Sequence, residues 1–150
     1  MLRQVPHFDL GQRGEEIAAR FLEENGYRIV VANFKVPVGR NSRGVQVTGE
    51  IDLIALEDDV LCFIEVKTRT SNDLFEPSDA VTLRKQRQII RTAKVYRRIF
   101  GITGLSFRYD VVSIVIAENS LPRIELIPNF WTEAKFRKKV WNFYARSDVF

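Results

Sequence analysis

The stretch that most constrains this chain runs from Gly49 to Arg69, GEIDLIALEDDVLCFIEVKTR. Two short hydrophobic runs are separated by an acidic turn, Glu57-Asp58-Asp59, and each run carries charge where a buried strand should carry none. Burying an ionised carboxylate is costly unless it is paired or bound to a metal. Glu50, Asp52, Glu65 and Lys67 inside two such strands therefore point to use and not to accident.

From Val47 to Leu56 a strand reading puts Val47, Gly49, Ile51, Leu53 and Ala55 on one face and Thr48, Glu50, Asp52, Ile54 and Leu56 on the other. Glu50 and Asp52 then lie roughly 6.5–7 Å apart on a shared face. The second strand, Val60 to Thr68, places Glu65 and Lys67 on the face of Leu61 and Phe63, with Cys62, Ile64 and Val66 opposite. The short Asp58-Asp59 turn makes the pair an antiparallel hairpin, which sets the two charged faces side by side without fixing their register. Carboxylates clustered beside one ammonium repel unless a cation neutralises them. Hard oxygen ligands of this kind suit Mg²⁺ or Mn²⁺, and a lysine on the same face suits an attacking water or a charged transition state. The reaction class that joins these parts is phosphodiester hydrolysis.

The rest of the chain frames that hairpin. A helix is expected over Asp9–Asn25, with Ile17, Ala18, Phe21 and Leu22 at helical spacing and Gly26 as its stop. Glu15 falls at the edge of the apolar face, where it serves either the helix dipole or the site. Tyr27 to Val36 is strand-like. Pro37 to Gly44, PVGRNSRG, reads as a loop, a tolerated insertion first and an arm over a substrate second. A helix over about Ala80–Phe100 carries Ile89, Ala93, Tyr96 and Phe100 as one stripe. Arg84, Arg87, Arg91, Lys94 and Arg98 form another within about 80° on the opposite side, and Lys85 lies off that stripe, pointing inward. A buried, central strand is expected over Phe107–Ala117, a shorter one over Arg123–Ile127 between Pro122 and Pro128, and a last helix over Thr132–Ala145 with Lys135, Lys138 and Lys139 on one side.

Net charge is only +4, but Arg84 to Arg98 holds seven basic residues and no acidic one. Such asymmetry suits a nucleic acid, with an ordinary solvated face as the plain alternative. The 150 residues suit a single domain with a real core, and no apolar run approaches membrane-spanning length. One cysteine excludes an internal disulfide framework and a cysteine-based zinc site. With no signal-peptide pattern in MLRQVPHFDL, a cytoplasmic protein with no membrane partner is expected.

An acidic residue followed across a hairpin by Glu-X-Lys resembles the PD-(D/E)XK nuclease superfamily. The fuller set is more specific: GQRGEEIAARFLEENGY, Asn33, GEIDLIA, FIEVKTR, Lys85 and FRYDVVSI resemble the YraN-like family of small bacterial proteins over roughly Leu10 to Ile116. The layout is also similar to archaeal Holliday-junction resolvases. The resemblance implies an α/β, restriction-endonuclease-like αβββαβ core over about residues 9–117, with a mixed sheet flanked by helices; the strand and helix read over 118–150 extend past that core. It implies that Asp52, Glu65 and Lys67 form the central nuclease motif, with Glu15 as a metal-site acid on the first helix and Glu50 from the GEID signature beside them. The implied activity is Mg²⁺- or Mn²⁺-dependent endonucleolytic cleavage of DNA, branched or recombination intermediates included, with a non-catalytic nucleic-acid-binding module as the alternative. Arg84, Lys85, Arg87, Arg91, Lys94 and Arg98 are the expected nucleic-acid contacts, and a homodimer would suit a two-fold junction.

Overall fold

The computed structural model describes residues 10–71 and 81–136. Seven elements follow in order: α1 (Leu10–Glu24), β1 (Arg28–Arg40), β2 (Gln46–Glu57), β3 (Val60–Thr70), α2 (Leu83–Ile99), β4 (Phe107–Ile116) and β5 (Arg123–Trp131). The strands form one mixed sheet in the order β1-β2-β3-β4-β5, antiparallel except for the parallel β3–β4 pair that α2 connects. This is the expected α/β architecture.

A helix covers each face of the sheet. Ala18 and Leu22 of α1 pack on Leu53, Ala55, Cys62, Ile64, Val112 and Ile114. On the other face, Ile89, Ile90, Ala93 and Tyr96 of α2 pack on Ile51, Ile54, Leu61, Phe63 and Tyr109. Cys62 is fully buried, and burial pushes its thiol up to about 12, so it behaves as a small hydrophobe. The α1 stop is the expected one. Gly26, at φ +88°, turns the chain so that the Tyr27 amide reaches Leu22 O at 2.9 Å and the Gly26 amide reaches Glu23 O. Helix α2 starts later than its apolar stripe suggests, because the Thr82 side chain caps it by accepting the Lys85 amide at 3.2 Å.

Both proline-based boundaries move outward. β1 runs through Pro37 to Arg40, so the expected Pro37–Gly44 loop shrinks to a short turn. β5 likewise continues through Pro128 to Trp131. Each is an edge strand, and a register irregularity lies beside each proline, where the missing N–H costs no ladder bond. The expected last helix begins at residues 134–136, and its remainder lies outside the described residues, as does nearly all of the TSNDLFEPSD loop.

The strict alternation expected in β2 fails at one point. Ile51 belongs to the α2 core, whereas Leu53 and Ala55 belong to the α1 core. The β2–β3 ladder runs from Glu57↔Val60 only as far as Leu53↔Ile64. Beyond it the two strands part, and a period-2 pattern holds only while a ladder holds the backbone. The slip falls on Asp52.

Gly49 lies just past this parting and faces α2. A β-carbon there would meet Thr92 Oγ1 at 2.0 Å and Val38 Cγ1 at 2.6 Å. Gly49→Ala is therefore expected to destabilise the fold by about 1–3 kcal/mol through overpacking. Thermal unfolding measures this, and Thr92→Ala in the same chain should recover part of the loss. An unchanged melting temperature would refute the close approach of α2 to β2.

Candidate active site

The parting of β2 from β3 sets a carboxylate where the ladder would have continued. Asp52 is 9% exposed, and its Oδ2 accepts the Val66 amide at 2.8 Å, replacing the lost strand bond with a side chain. Glu65, one residue before Val66, hydrogen-bonds the Asp52 carboxylate. Burial and then the Asp52 charge push the Glu65 carboxyl up to about 8, against the weaker pull of Lys85 and Lys67. Burial likewise raises Asp52, with the Val66 amide and Glu65 opposing. Burial thus disfavours charge on both acids, and Glu65 Oε2 is buried without a hydrogen-bond partner.

Around this pair stand the other expected site residues. Glu15 of α1 lies close enough that burial and the Asp52 charge raise its carboxyl, while the Asn33 side chain hydrogen-bonds it and pulls the other way. Glu50 is half-buried and pairs with Lys35, its cross-strand neighbour in β1, at 3.9 Å. The lysine nearest the pair is not Lys67. Lys85 Nζ of α2 stands 4.0 Å from Glu65 Oε1, whereas Lys67 is exposed and acts on Glu65 more weakly. The inward direction of Lys85 was legible in its helical phase. Its arrival at Glu65 was not, because α2 and β3 meet only in three dimensions.

Lys35 joins the site without a sequence signal, whereas Asn33 belongs to the set that carries the family resemblance. Asn33 sits within β1 at φ +54°, a left-handed conformation that asparagine tolerates better than most residues. Arg84, Arg87, Arg91, Lys94 and Arg98 are all exposed on α2, as expected, with Arg87 over the Phe136 ring at 5.2 Å.

Among the described residues, no three His, Cys, Asp or Glu side chains already converge as a metal cage. Mg²⁺ seldom uses such a cage; it takes one or two carboxylates, keeps several waters and accepts substrate phosphates. The Asp52–Glu65 pair fits that habit. It consists of hard oxygen donors side by side, one oxygen lacks a partner, and a cation would offset the charge that burial disfavours.

The raised Glu65 carboxyl has a consequence for stability. An acid whose folded-state pKa exceeds its unfolded value holds more protons when folded, so stability falls as pH rises from about 4.5 through about 8. Glu65→Gln is expected to flatten this loss and to raise stability at pH 9 by on the order of 2 kcal/mol. Denaturant titrations of both proteins at pH 5 and pH 9 measure it. Parallel pH profiles would show that Glu65 ionises freely.

Residues 14–114 match the family described as "Uncharacterised protein family UPF0102". A UPF0102 protein of Prosthecochloris aestuarii is 38% identical over 135 residues, covering 86% of this chain and 98% of that protein. The chain belongs to UPF0102. Another UPF0102 member, from Chlorobium phaeobacteroides, is 43% identical over 111 residues, covering 74% of this chain and 79% of that protein. The UPF0102 match spans the whole site, from Gly14 beside Glu15 to Ile114 of β4. Among solved structures, Hjc of Archaeoglobus fulgidus, a Holliday junction resolvase, is similar at 16% identity and a TM-score of 0.40, over 77% of this chain and 73% of that one. No helix among the described residues is long and apolar enough to cross a membrane.

Proposed function

We propose that this protein is a divalent-metal-dependent nuclease that hydrolyses phosphodiester bonds in DNA, branched DNA included. The observation that carries the reading is the Asp52–Glu65 pair, two carboxyls brought together where two strands part, with Glu65 Oε2 buried and without a partner. Asp52 and Glu65 would hold Mg²⁺ or Mn²⁺, with Glu15 and Glu50 adding negative charge around them. The cation, when bound, supplies Lewis-acid polarisation of the scissile phosphate and lowers the pKa of a water. Lys67, exposed two residues beyond Glu65, orients the attacking water. Lys85 pairs with Glu65 before substrate binds and turns to a phosphate oxygen afterwards. Water adds to phosphorus and gives up a proton to solvent, the P–O bond to the leaving strand breaks, and the leaving oxygen takes a proton from solvent. The exposed cations of α2 hold the backbone on either side of the cut.

A second reading is favoured by one observation: Lys85, 4.0 Å from Glu65 Oε1, already offsets part of the charge of the two carboxylates. On that reading the chain is a non-catalytic nucleic-acid-binding module. Incubation with single-stranded, duplex and four-way-junction DNA, with Mg²⁺, with Mn²⁺ and with chelator, separates the two. Cleavage that depends on the divalent ion is expected. Salt-sensitive binding to all three substrates with no cut under any condition would establish the module and end the nuclease proposal. The expected homodimer finds no support in the single chain.

A further inference from the structure

The basic stripe of α2 is one wall of a larger feature. Between the start of α2 and the end of the β1–β2 hairpin lies a groove of about 560 Å³. Arg40 lines it from the hairpin, and Arg84, Lys85, Arg87 and Arg91 line it from α2, while Val38 and Val47 supply apolar surface between them. Among the described residues the lining holds five cations, no acid and no aromatic ring.

Both walls are fixed. At the hairpin end, Asn41 Oδ1 accepts the amides of Arg43 at 2.9 Å and Val45 at 3.0 Å. Arg40 Nη1 donates to Gly44 O at 2.7 Å, which leaves most of the guanidinium's five N–H groups for a ligand. Between the walls, Gln88 Nε2 of α2 donates to Thr48 O of β2 at 3.1 Å, next to the close approach of Gly49 and Thr92. A groove held open in advance costs its ligand little ordering.

The volume falls among clefts that enclose small molecules, about 300–1,000 Å³, which suits a nucleotide or two of one strand and not the width of a duplex. We infer that this groove takes a single polynucleotide strand by its phosphates and leads it to the Asp52–Glu65 pair. Lys85 belongs to both places: it lines the groove and stands 4.0 Å from Glu65. The binding part of this inference stands on the groove alone, and the delivery part rests on the nuclease reading. A contact made through phosphates reads charge and not base identity. Lys94 and Arg98, further along α2, do not line the groove and serve as its contrast.

The test measures binding of the full chain, in chelator, to a labelled oligothymidylate of roughly 16 nucleotides and to a duplex of equal length. Arg40→Gln with Arg84→Gln is expected to weaken single-strand binding about tenfold and to lower the salt slope by about 1.4, while duplex binding changes less than about threefold. Arg84→Gln alone leaves every hairpin contact in place and should lower the single-strand slope by about 0.7. Lys94→Gln with Arg98→Gln should weaken the duplex more than the single strand. Unchanged single-strand affinity in the groove variants, or equal loss on both probes, would overturn the inference. Chelator removes cleavage from the measurement, so the two proposals fail separately. A wild-type protein that binds the oligonucleotide through the groove and never cuts DNA loses the nuclease reading and keeps this one.

Discussion

Asp52→Asn and Glu65→Gln are each expected to lower divalent-dependent cleavage by about 10³-fold while leaving DNA binding in chelator within about a factor of two. The amides are chosen for shape. Asp52→Asn keeps an oxygen to accept the Val66 amide, so the parted strands stay where they are, and only the charge that would hold a cation is lost. Glu65→Gln removes the carboxyl that burial pushes up to about 8, so it should stabilise the fold at alkaline pH while abolishing the cut. Those two effects of opposite sign in one variant are the signature of a strained functional group. Activity that survives both substitutions would trace to a contaminant and remove the assignment.

Asp110→Ala is expected to cost about 3 kcal/mol, lowering the melting temperature by roughly 6–12 °C. Asp110 is fully buried in β4. Its carboxylate accepts the Arg108 Nε–H at 2.9 and 3.0 Å and the Asn129 amide at 2.8 Å, where β5 takes a left-handed residue at φ +53°. Arg108 also binds Glu57 and Tyr27, tying the end of β2 and the α1–β1 connection to the same guanidinium. Removing Asp110 leaves that arginine one partner short and an edge-strand amide without an acceptor. Asp110→Asn keeps the amide's acceptor and loses the charge, so it should fall about halfway. A loss below about 1 kcal/mol for Asp110→Ala would mean that water replaces the carboxylate at no cost.

The hairpin was legible because two signals agree over its length: hydrophobic runs of strand length and an Asp58-Asp59 turn. The helices were legible from stripes at a 3.6 period, and Glu15 and Lys85 stood out because they broke those stripes in the direction of the site. The slip at Asp52 was not legible. Alternation assumes a continuous ladder, and nothing local announces that β2 leaves β3 between Asp52 and Leu53. Pro37 and Pro128 misled for a related reason: a proline excludes a central strand, but whether a strand is central is decided by the rest of the sheet. The wall formed by Arg40 was invisible because α2 lies far from it in sequence. Glu50↔Lys35 became visible only once the β1–β2 register was known.

Where β2 and β3 part, the sheet divides its allegiance. Toward the site, Glu50 and Ile51 stay bonded to β1, while Glu65, Val66 and Lys67 stay bonded to β4. The two acids of the central pair therefore belong to different half-sheets joined along a seam, and their spacing is set by the twist of one half against the other. A substitution far from any carboxylate, on β1 or β5, should tune the pair by rotating its half. The Val66 amide offers a reporter for that seam, because its protection from hydrogen exchange depends on one side chain, Asp52, where its neighbours depend on backbone. Loosening the seam should speed exchange at that single position before the rest of the sheet responds.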